Sequence, residues 1–584
     1  MSLTKNFTQG GQVTLHNLRM IRQVLSVTLG TTLIISLLFF GFKTWQDHTP
    51  YQRQITLTYL VAQLKTGIPF GDISKQTQTF VYEDGKKQKV RSIDILRDPW
   101  MKNQMGDVED MLIINLILSF LLFLATFVGF ISFWIWRGKA RMRKEILSGS
   151  QEVPLNKLIR MIKKDKMDSD LMLGDLPLIK GSEIKHILFA GTTGTGKTTA
   201  FNYLLQQIRA KGQKIVIVDT TGTFVQIFYD PKTDIILNPF DMRSKNWDMW
   251  AECEDRPQAT SLAASLIPEN TGDPLWHNAA RTLFVETFLK LKKYQNPSMK
   301  VFLDYASYKP LSQIQKFYAG TPAASLVDAK MDRTAGAVRL NLATYINTLN
   351  LVEDPHDSFS IREWMRDESK SGCLFLFTTA DYRDTLEPLL TTWFNICVKS
   401  LKSLPRNKKD RRVWFCIDEL ASLSKVKGLP DALYEIRNYG GCVVTGIQNI
   451  SQLDDIYGHH ARKTMISLYN TKLLFRSPDS ETAQSLSKLI GEQEILEHKE
   501  GISFGAHQMR DGVSLSEHTQ TKPIIPYTEI MNLPDLSAYI KLPGDYPVAK
   551  IKLEPINIPE KNELFIKKPV LEEQKLIWNE SEFM

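Results

Sequence analysis

Residues 191–199, GTTGTGKTT, have the types and the spacing of a loop that binds nucleotide phosphates. The apolar run 187–190 predicts a buried strand before the loop, and residues 200–209 predict a helix after it. Glycines leave room for the backbone to fold around phosphate oxygens, and the amides at the start of a helix face the anion. A glycine-rich turn with a chance lysine is the alternative, but the order of strand, loop and helix disfavours it.

This loop implies ATP and Mg²⁺ as ligands. The pattern predicts that Lys197 contacts the β- and γ-phosphates and that the hydroxyl of Thr198 binds the metal ion. The predicted nucleotide-binding residues are Gly191, Thr192, Thr193, Gly194, Thr195, Gly196, Lys197, Thr198 and Thr199.

An acidic pair follows a second apolar run, residues 413–417. A phosphate loop needs a carboxylate for the metal ion and a group that aligns the attacking water. Asp418 is predicted to bind Mg²⁺, directly or through a water ligand, and Glu419 to act as general base. A strand followed by a solvated acidic turn is the alternative, which the presence of the phosphate loop makes the weaker one.

Short apolar runs alternate with helical patterns through the second half of the chain, which predicts an α/β fold with a parallel sheet and helices on both faces. Ligands of such sheets bind at the carboxyl ends of the strands. The phosphate loop, Asp219, Asp418 and Gln448 all fall at such ends. The predicted strands are 187–190, 214–218, 234–237, 373–377, 413–417, 442–447 and 472–475.

Residues 245–360 interrupt this alternation, because they are rich in helical patterns and lack clear strands. They predict an all-α domain inserted into the nucleotide-binding domain, which then consists of residues 137–244 and 361–555. The tail, 556–584, contains prolines and mixed charges with little periodicity, and we expect it to be flexible.

Two apolar stretches, 24–45 and 111–136, are long enough to cross a bilayer. A signal peptide is the alternative for the first, but its apolar part is too long; a buried core helix is the alternative for the second, but it lacks a polar face. Basic residues precede the first stretch and follow the second, so residues 1–23 and both termini are predicted to be cytoplasmic. Residues 46–110 are then expected on the periplasmic side of a bacterial inner membrane.

Composition adds little to this interpretation. The net charge of +8 is modest for 584 residues and does not establish a nucleic-acid partner. The five cysteines are scattered without a CxxC pair, which indicates free thiols in a reducing compartment. The chain shows no helix-turn-helix, zinc-finger or aromatic RNA-binding signature, so sequence-specific reading of DNA is not expected.

The combination of motifs resembles the type IV coupling proteins of conjugation and type IV secretion, and within them the TraD-like branch. The resemblance rests on the two N-terminal apolar stretches, the helical insertion and the segments GTTGTGKT, VWFCIDELASL, GIQNISQL, ILNPFDMR and DSDLMLGDLPLIKGSEI. It implies a RecA-like motor that forms a homohexamer and hydrolyses ATP in response to DNA. It also implies recruitment of a relaxase–DNA complex, delivery of single-stranded DNA to a secretion channel, and contacts with the channel's ATPases and inner-membrane components.

The resemblance also assigns residues. Gln448 matches a glutamine that senses the γ-phosphate, with an ordinary polar residue at a strand end as the alternative. Arg437 matches an arginine that is presented to the nucleotide of the neighbouring subunit, with a solvated helix residue as the alternative. Arg476 is a weaker candidate of the same kind. Asp219 is retained, but Thr223 replaces the glutamate that related motors have in this turn and receives no role.

Two further interpretations stay open. Lys425 and Lys427 follow the acidic pair and could form a loop that grips DNA, although a solvated loop is the simpler reading. At the level of function, the alternatives are a receptor that docks protein substrates and uses ATP as a conformational switch, and an FtsK-type DNA translocase.

Overall fold

The computed structural model of the chain describes residues 3–67, 76–141, 145–268, 274–294, 297–354, 358–406, 411–423, 425, 429–503 and 512–569. The chain divides into two compact units, one of residues 1–145 with 495–520 and one of residues 146–494 with 521–584. Each is described by itself.

The first unit is built on two long apolar helices that pack against each other. Its helices are α1 Leu3–Asp47, α2 Pro50–Gly67, α3 Ser92–Arg97 and α4 Pro99–Arg141, and its hairpin strands are β1 Thr77–Val81 and β2 Lys87–Arg91. Segments Leu18–Asp47 and Pro99–Lys139 are apolar and long enough to cross a membrane, and only 17% and 11% of their most apolar windows are buried. The predicted spans 24–45 and 111–136 lie inside these two helices.

A small folded region lies between the long helices. Strands β1 and β2 pair in antiparallel fashion, and helices α2 and α3 pack beside them. Its core consists of Ile55, Ala62, Phe80, Ile95 and Met101. These elements fall within residues 46–110, where the mixture of aromatic and charged residues predicts a small domain.

The remaining elements belong to the second unit, apart from those over residues 495–520, and they alternate between strands and helices over most of their length. The strands are β3 Glu145–Gly149, β4 Asp168–Leu173, β5 Leu176–Ile179, β6 Ile187–Ala190, β7 Lys214–Asp219, β8 Ile235–Leu237, β9 Asn246–Trp247, β10 Ser358–Phe359, β11 Gly372–Phe377, β12 Val413–Ile417, β13 Gly441–Ile447, β14 Thr471–Leu474, β15 Glu492–Ser503, β16 Gly512–Pro523, β17 Ser537–Lys541 and β18 Ala549–Lys552. The helices are α5 Leu155–Lys164, α6 Lys197–Ala210, α7 Thr223–Phe228, α8 Arg256–Leu266, α9 Pro274–Leu291, α10 Met299–Leu303, α11 Leu311–Tyr318, α12 Asp332–Ile346, α13 Ile361–Arg366, α14 Arg383–Lys402, α15 Leu429–Ile436, α16 Ile450–Tyr457, α17 His459–Leu468, α18 Ser480–Ile490 and α19 Tyr527–Met531.

One large sheet organises the second unit. Among the described residues it has nine strands, in the order β18-β17-β14-β6-β13-β12-β7-β11-β8. The seven strands from β14 to β8 are parallel to one another, and they coincide with the seven apolar runs of the sequence. Strands β17 and β18 are antiparallel additions at one edge. The predicted parallel sheet is therefore present in these seven strands, and the two antiparallel strands make the whole sheet a mixed one.

Both faces of the sheet are covered, which explains why its strands are apolar throughout rather than alternating. In β6, Leu188 and Ala190 belong to one hydrophobic core, whereas Ile187 and Phe189 belong to the core on the opposite face. The helix after the phosphate loop, α6, packs in the second of these cores. The carboxyl ends of the seven parallel strands consequently meet at one edge of the sheet.

The helical insertion leaves and re-enters the sheet domain at one place. Short strands β9 and β10 pair in parallel at its root, and helices α8 to α12 lie between them in the chain. Buried Glu252 accepts hydrogen bonds from the main-chain N–H groups of Ile361 (2.6 Å) and Arg362 (3.1 Å) and from the indole of Trp247 (3.1 Å). These bonds fasten the outgoing chain to the returning one.

The chain after β18 crosses the surface of the sheet domain. Arg243 donates to two main-chain carbonyls of residues 563–564, at 2.8 and 3.2 Å. The side chain of Leu564 covers Gly222, and Lys568 forms an ion pair with Glu353 at 2.6 Å. This segment therefore joins the loop after β7 to the end of the helical insertion.

We expected residues 556–584 to form a flexible tail, but these contacts show that part of this segment packs on the sheet domain. Residues 561–568 hold a defined position through hydrogen bonds and packing. The rest of that expectation, residues 570–584, lies outside the described residues.

Candidate nucleotide-binding site

The predicted site residues, except Arg437, meet at the carboxyl edge of the sheet. The N–H of Gly191 donates to the carbonyl of Ile447 at 3.1 Å, which puts the start of the phosphate loop beside Gln448. Strand β12, next to β13 in the sheet, ends directly before Asp418. The structure thus brings the loop, Asp418, Glu419 and Gln448 together, as the strand order requires.

Lys197 lies in the centre of the phosphate loop. Its ammonium donates to the carbonyls of Gly191 (2.6 Å) and Thr192 (3.0 Å), and the side chain is buried. Burial lowers the pKa of Lys197, while the carboxylates of Glu419 and Asp418 act in the opposite direction. Thr198, the predicted metal ligand, is exposed at the start of α6, where an incoming ion can reach it.

The glycines of the loop fall into two kinds. Gly191 and Gly196 have positive φ. A Cβ on Gly191 would lie 2.6 Å from the Cβ of Phe475, and a Cβ on Gly196 would lie 3.1 Å from its ring, so the loop lies directly on this side chain. Gly194 also has positive φ, +74°, but nothing lies near its Cβ position. The loop is therefore supported from behind and open in front, as a phosphate cradle requires.

Two segments distant in sequence hold the loop in place. The N–H of Thr192 donates to the carbonyl of Arg476 at 3.0 Å, and Leu536 donates its N–H to the carbonyl of Thr195 at 2.9 Å. The side chain of Arg476 pairs with Asp535 at 2.7 Å. Arg476 therefore lies beside the phosphate loop of its own chain and has a carboxylate partner. This position disfavours the role of an arginine finger, an arginine that acts at the nucleotide of a neighbouring subunit.

Glu419 is the unusual acid of the site. Both of its carboxylate oxygens are buried and neither makes a well-formed hydrogen bond. Its pKa is raised to about 7, chiefly by burial, with Lys197 acting in the opposite direction and Gln448 close enough to lower it as well. A buried carboxylate without a fixed partner fits a group that engages an incoming water molecule.

Asp418 is placed by a close approach of two strands. A Cβ on Gly446 in β13 would lie 1.9 Å from the carbonyl oxygen of Asp418, so only glycine fits there. The pKa of Asp418 is raised to about 6, first by burial and then by the charge of Asp219, with Lys197 lowering it. A Mg²⁺ ion between Thr198 and Asp418 would favour the ionised carboxylate.

Asp219 is committed to the turn that follows β7. Its carboxylate accepts hydrogen bonds from the N–H groups of Thr221, Gly222, Phe224 and Val225. These bonds hold the start of α7. They make Asp219 a structural group of the edge rather than a free ligand.

Arg437 is not brought into this site. It lies just before β13, at the opposite edge of the sheet from Gln448, and the seven residues of β13 span roughly 20 Å. Its guanidinium lies 4.6 Å over the exposed ring of Tyr434, and among the described residues no carboxylate pairs with it. A single chain therefore cannot use Arg437 at its own phosphate loop.

Sequence reasoning missed several residues that shape the site. Phe475 and Leu536 support the loop but carry no motif, and they lie far from it in the chain. Arg383 follows β11 at the same edge, donates to the carbonyl of Thr220 at 3.1 Å, and has a buried Nε with no partner in the described residues. Its place a few residues after the predicted strand 373–377 was the available signal. Lys425 is exposed after the acidic pair, and Lys427 lies outside the described residues.

The residues present fit MgATP. The described parts of the chain contain no group of three or more His, Cys, Asp or Glu side chains that could hold a metal ion by themselves. Mg²⁺ at phosphate sites is commonly held by one or two protein oxygens together with phosphates and waters, so Thr198 and Asp418 suffice.

Comparison with known proteins gives consistent matches. Residues 170–554 match the family described as type IV secretion-system coupling protein DNA-binding domain. The coupling protein TraD of Escherichia coli (strain K12) is 34% identical over 561 residues, which are 94% of this chain and 78% of that protein. The protein VirD4 of Rhizobium rhizogenes is 25% identical over 307 residues, 49% of this chain and 44% of that protein.

Solved structures extend the match to the fold. The plasmid coupling protein TrwB in complex with ADP and Mg²⁺ has a TM-score of 0.64 and 29% identity, covering 73% of this chain and 98% of that one. TrwB in complex with the non-hydrolysable ATP analogue ADPNP gives a TM-score of 0.63 at the same identity and coverage. This likeness confirms the predicted α/β, RecA-like fold with an inserted all-α domain.

Proposed function

The chain belongs to the type IV secretion-system coupling proteins, the family of TraD and VirD4, and from this membership we propose that it is a membrane-anchored ATPase that drives DNA into a secretion channel. Two features support this proposal. The family domain is a DNA-binding domain, and its solved relative TrwB was obtained with ADP and Mg²⁺ and with an ATP analogue. The observation that carries the proposal is the meeting of Lys197, Asp418 and Glu419 at one sheet edge.

Each residue of the site has a proposed task. The loop amides and Lys197 bind the phosphates, and Thr198 and Asp418 hold Mg²⁺, which neutralises charge on the transferring phosphoryl group. Ammonium contacts from Lys197 to loop carbonyls, at 2.6 and 3.0 Å, place its charge at the cradle. The remaining loop residues, 191–196 and 199, shape the cradle around the ligand.

Glu419 is the proposed general base. Its raised pKa of about 7 lies near the working pH, the range in which a carboxylate both accepts a proton and exists in part as the base. Lys197 favours its ionised form. Gln448 lies on the adjacent strand end and is proposed to hydrogen-bond the terminal phosphate, so that its contacts change when that group leaves.

Arg437 is proposed to act as an arginine finger, which one subunit contributes to the nucleotide-binding site of the next. Because it lies at the opposite sheet edge from its own phosphate loop, an arginine finger is possible only in an assembly. Its stacking on Tyr434 and lack of a carboxylate partner in the described residues leave the guanidinium available. A homohexameric ring is the assembly we propose, with single-stranded DNA gripped through its phosphates without sequence preference.

The cellular arrangement is proposed on the same basis. The two apolar helices anchor the chain in a bacterial inner membrane, with both termini cytoplasmic and 46–110 periplasmic. The proposed partners are relaxase–DNA complexes on the cytoplasmic side and the ATPases and inner-membrane components of the channel. The proposed domains are residues 1–23, 24–45, 46–110, 111–136, 137–244 with 361–555, 245–360 and 556–584.

ATP hydrolysis by the full-length chain in nanodiscs tests this proposal, with single-stranded DNA, double-stranded DNA or no DNA. Lys197→Ala is the inactive variant. Lys211→Ala is the matched control, because Lys211 lies just beyond α6 in a loose ion pair with Asp170 at 3.7 Å. We expect DNA to stimulate hydrolysis in the parent and the control, and Lys197→Ala to remain near background.

If the assembled protein hydrolysed ATP at the same rate with and without DNA, this result would contradict the proposed DNA motor. It would favour the receptor in which ATP acts as a conformational switch. Hydrolysis at the parental rate by Lys197→Ala would show that the assigned loop is not the active site.

A further inference from the structure

We propose that His186 is a positioning residue for Arg437, linking the strand that leads to the phosphate loop with the helix that presents the finger to the next subunit. This inference rests on the proposed role of Arg437 in a neighbouring site. Nothing in the motifs of the chain marks His186, which lies directly before β6.

Two hydrogen bonds of the imidazole ring define the link. The ring Nε2 lies 2.7 Å from the carbonyl oxygen of Leu433, and the N–H of Val443 donates to the ring Nδ1 at 3.2 Å. A carbonyl only accepts and an N–H only donates, so Nε2 carries the proton and Nδ1 does not. Both partners are satisfied by one neutral tautomer. Burial lowers the pKa of His186 to about 4, which keeps the ring in this neutral form.

The two hydrogen-bond partners of the His186 ring, Leu433 and Val443, lie on either side of Arg437 in the chain. Leu433 lies in the last turn of α15, where main-chain carbonyls lack partners within the helix, and Val443 lies near the start of β13. Segment 433–443 joins these two points, packs Ile436 into the core and carries Tyr434 and Arg437 on its exposed side. His186 therefore joins the two ends of this segment through its hydrogen bonds, and we call this link the clasp.

The other end of the link reaches the phosphate loop. His186 lies five residues before Gly191, about 17 Å along β6. The main chain around it is anchored, since the carbonyl of His186 accepts from the N–H of Thr471 at 3.3 Å and β6 is paired on both sides. A shift of β6 on nucleotide binding would therefore reach α15 through the His186 ring as well as through the pairing of β6 with β13.

Two substitutions separate the link from simple packing. In His186→Asn the amide oxygen takes the place of Nδ1 and keeps the Val443 bond, but the side chain is too short to reach Leu433. In His186→Gln the amide nitrogen reaches the place of Nε2 and keeps the Leu433 bond. The backbone of His186, with φ +61° and ψ 152°, is strained for any residue other than glycine, so the parent and both variants share this strain and it does not distinguish them.

The measurement is DNA-stimulated hydrolysis by the full-length chain in nanodiscs, with affinity for a fluorescent ADP and the melting temperature recorded for each variant. We expect His186→Asn to lower kcat about tenfold, with ADP affinity within about twofold of the parent. His186→Gln is expected to recover most of the rate. In an Arg437→Ala background, His186→Asn should cause no further loss of kcat, because the group it positions is gone.

The outcomes distinguish this inference from the proposal beneath it. A parental kcat in His186→Asn, or an equal loss from His186→Asn with and without Arg437, overturns the positioning role while the finger stands. A parental kcat in Arg437→Ala overturns the finger, and with it the role of His186. DNA-stimulated hydrolysis that depends on Lys197 would still support the motor in either case.

Discussion

Replacing Glu419 by glutamine is expected to separate nucleotide binding from hydrolysis. Glutamine has nearly the same shape, and although the N–H of Ala421 and the side chain of Gln448 lie close to the carboxylate, neither of its oxygens makes a well-formed hydrogen bond, so the exchange disturbs few contacts. The attacking water loses its proton acceptor. We expect kcat to fall by a factor of about 10² to 10⁴, while the affinity for an ATP analogue changes by less than about threefold.

The same exchange is expected to stabilise the protein above pH 7. An unfolded glutamate has a pKa of about 4.3, whereas the pKa of Glu419 in the fold is about 7. The folded state then binds more protons than the unfolded state between these pH values, so stability falls as pH rises through this range and the cost is complete above pH 7. That cost is about 4 kcal/mol, and the uncharged amide removes it. Thermal melting should show a gain of several degrees at pH 8 and a smaller gain at pH 5.5.

Glu252→Gln is the matched control, because the pKa of Glu252 is also raised to about 7, chiefly by burial. Glu252, however, accepts three hydrogen bonds at the root of the helical insertion. An amide keeps only one oxygen acceptor and places an NH₂ against main-chain donors. This variant should therefore melt at a lower temperature.

Three results would refute this reasoning. Turnover of Glu419→Gln within twofold of the parent would remove the general base. A gain in melting temperature of equal size at pH 8 and pH 5.5 would show that the buried charge is not its cause. A gain in Glu252→Gln as large as that in Glu419→Gln would show that hydrogen bonding does not distinguish the two acids.

The other predictions concern the loop, the sheet and the tail. Lys197→Ala should abolish hydrolysis and DNA transfer while the protein remains in the membrane fraction, as assays of conjugation and fractionation would show. Gly446→Ala should lower stability by about 3 kcal/mol or more and lower hydrolysis as well, because its Cβ would meet the carbonyl of Asp418; normal melting and turnover would contradict this. Ending the chain after residue 560 should lower the melting temperature of the second unit by a few degrees, because the contacts of Arg243 and Leu564 are lost. An unchanged melting temperature would show that the removed segment does not stabilise the fold.

The sequence predicts most of the sheet and the chemical part of the site because both depend on local patterns. Strands buried on both faces must be apolar over their whole length, and seven such runs stand out. The spacing of the phosphate loop and the acids directly after an apolar run carry their own signal. The structure therefore has four residues at the strand ends where the sequence predicted them: Lys197, Asp418, Glu419 and Gln448.

What the sequence does not predict depends on contacts between distant segments. Strand β18 reads AKIK, with only its alternate residues buried, which is too short and too polar to stand out. Phe475 and Leu536 support the loop through packing that no spacing records. The clasp formed by His186 joins residues almost 250 positions apart, and the ordered tail gains its structure from the surface it lies on.

The paired root of the helical insertion has a consequence for how such proteins diversify. The insertion enters and leaves through two adjacent short strands, and the fastening at Glu252 belongs to the root rather than to the helices beyond it. A segment whose two ends emerge side by side can be exchanged without stretching or breaking its host. A helical module from a relative could thus be grafted between Glu252 and β10 while the nucleotide-binding domain keeps its fold. Selection could then act on the module and on the engine separately.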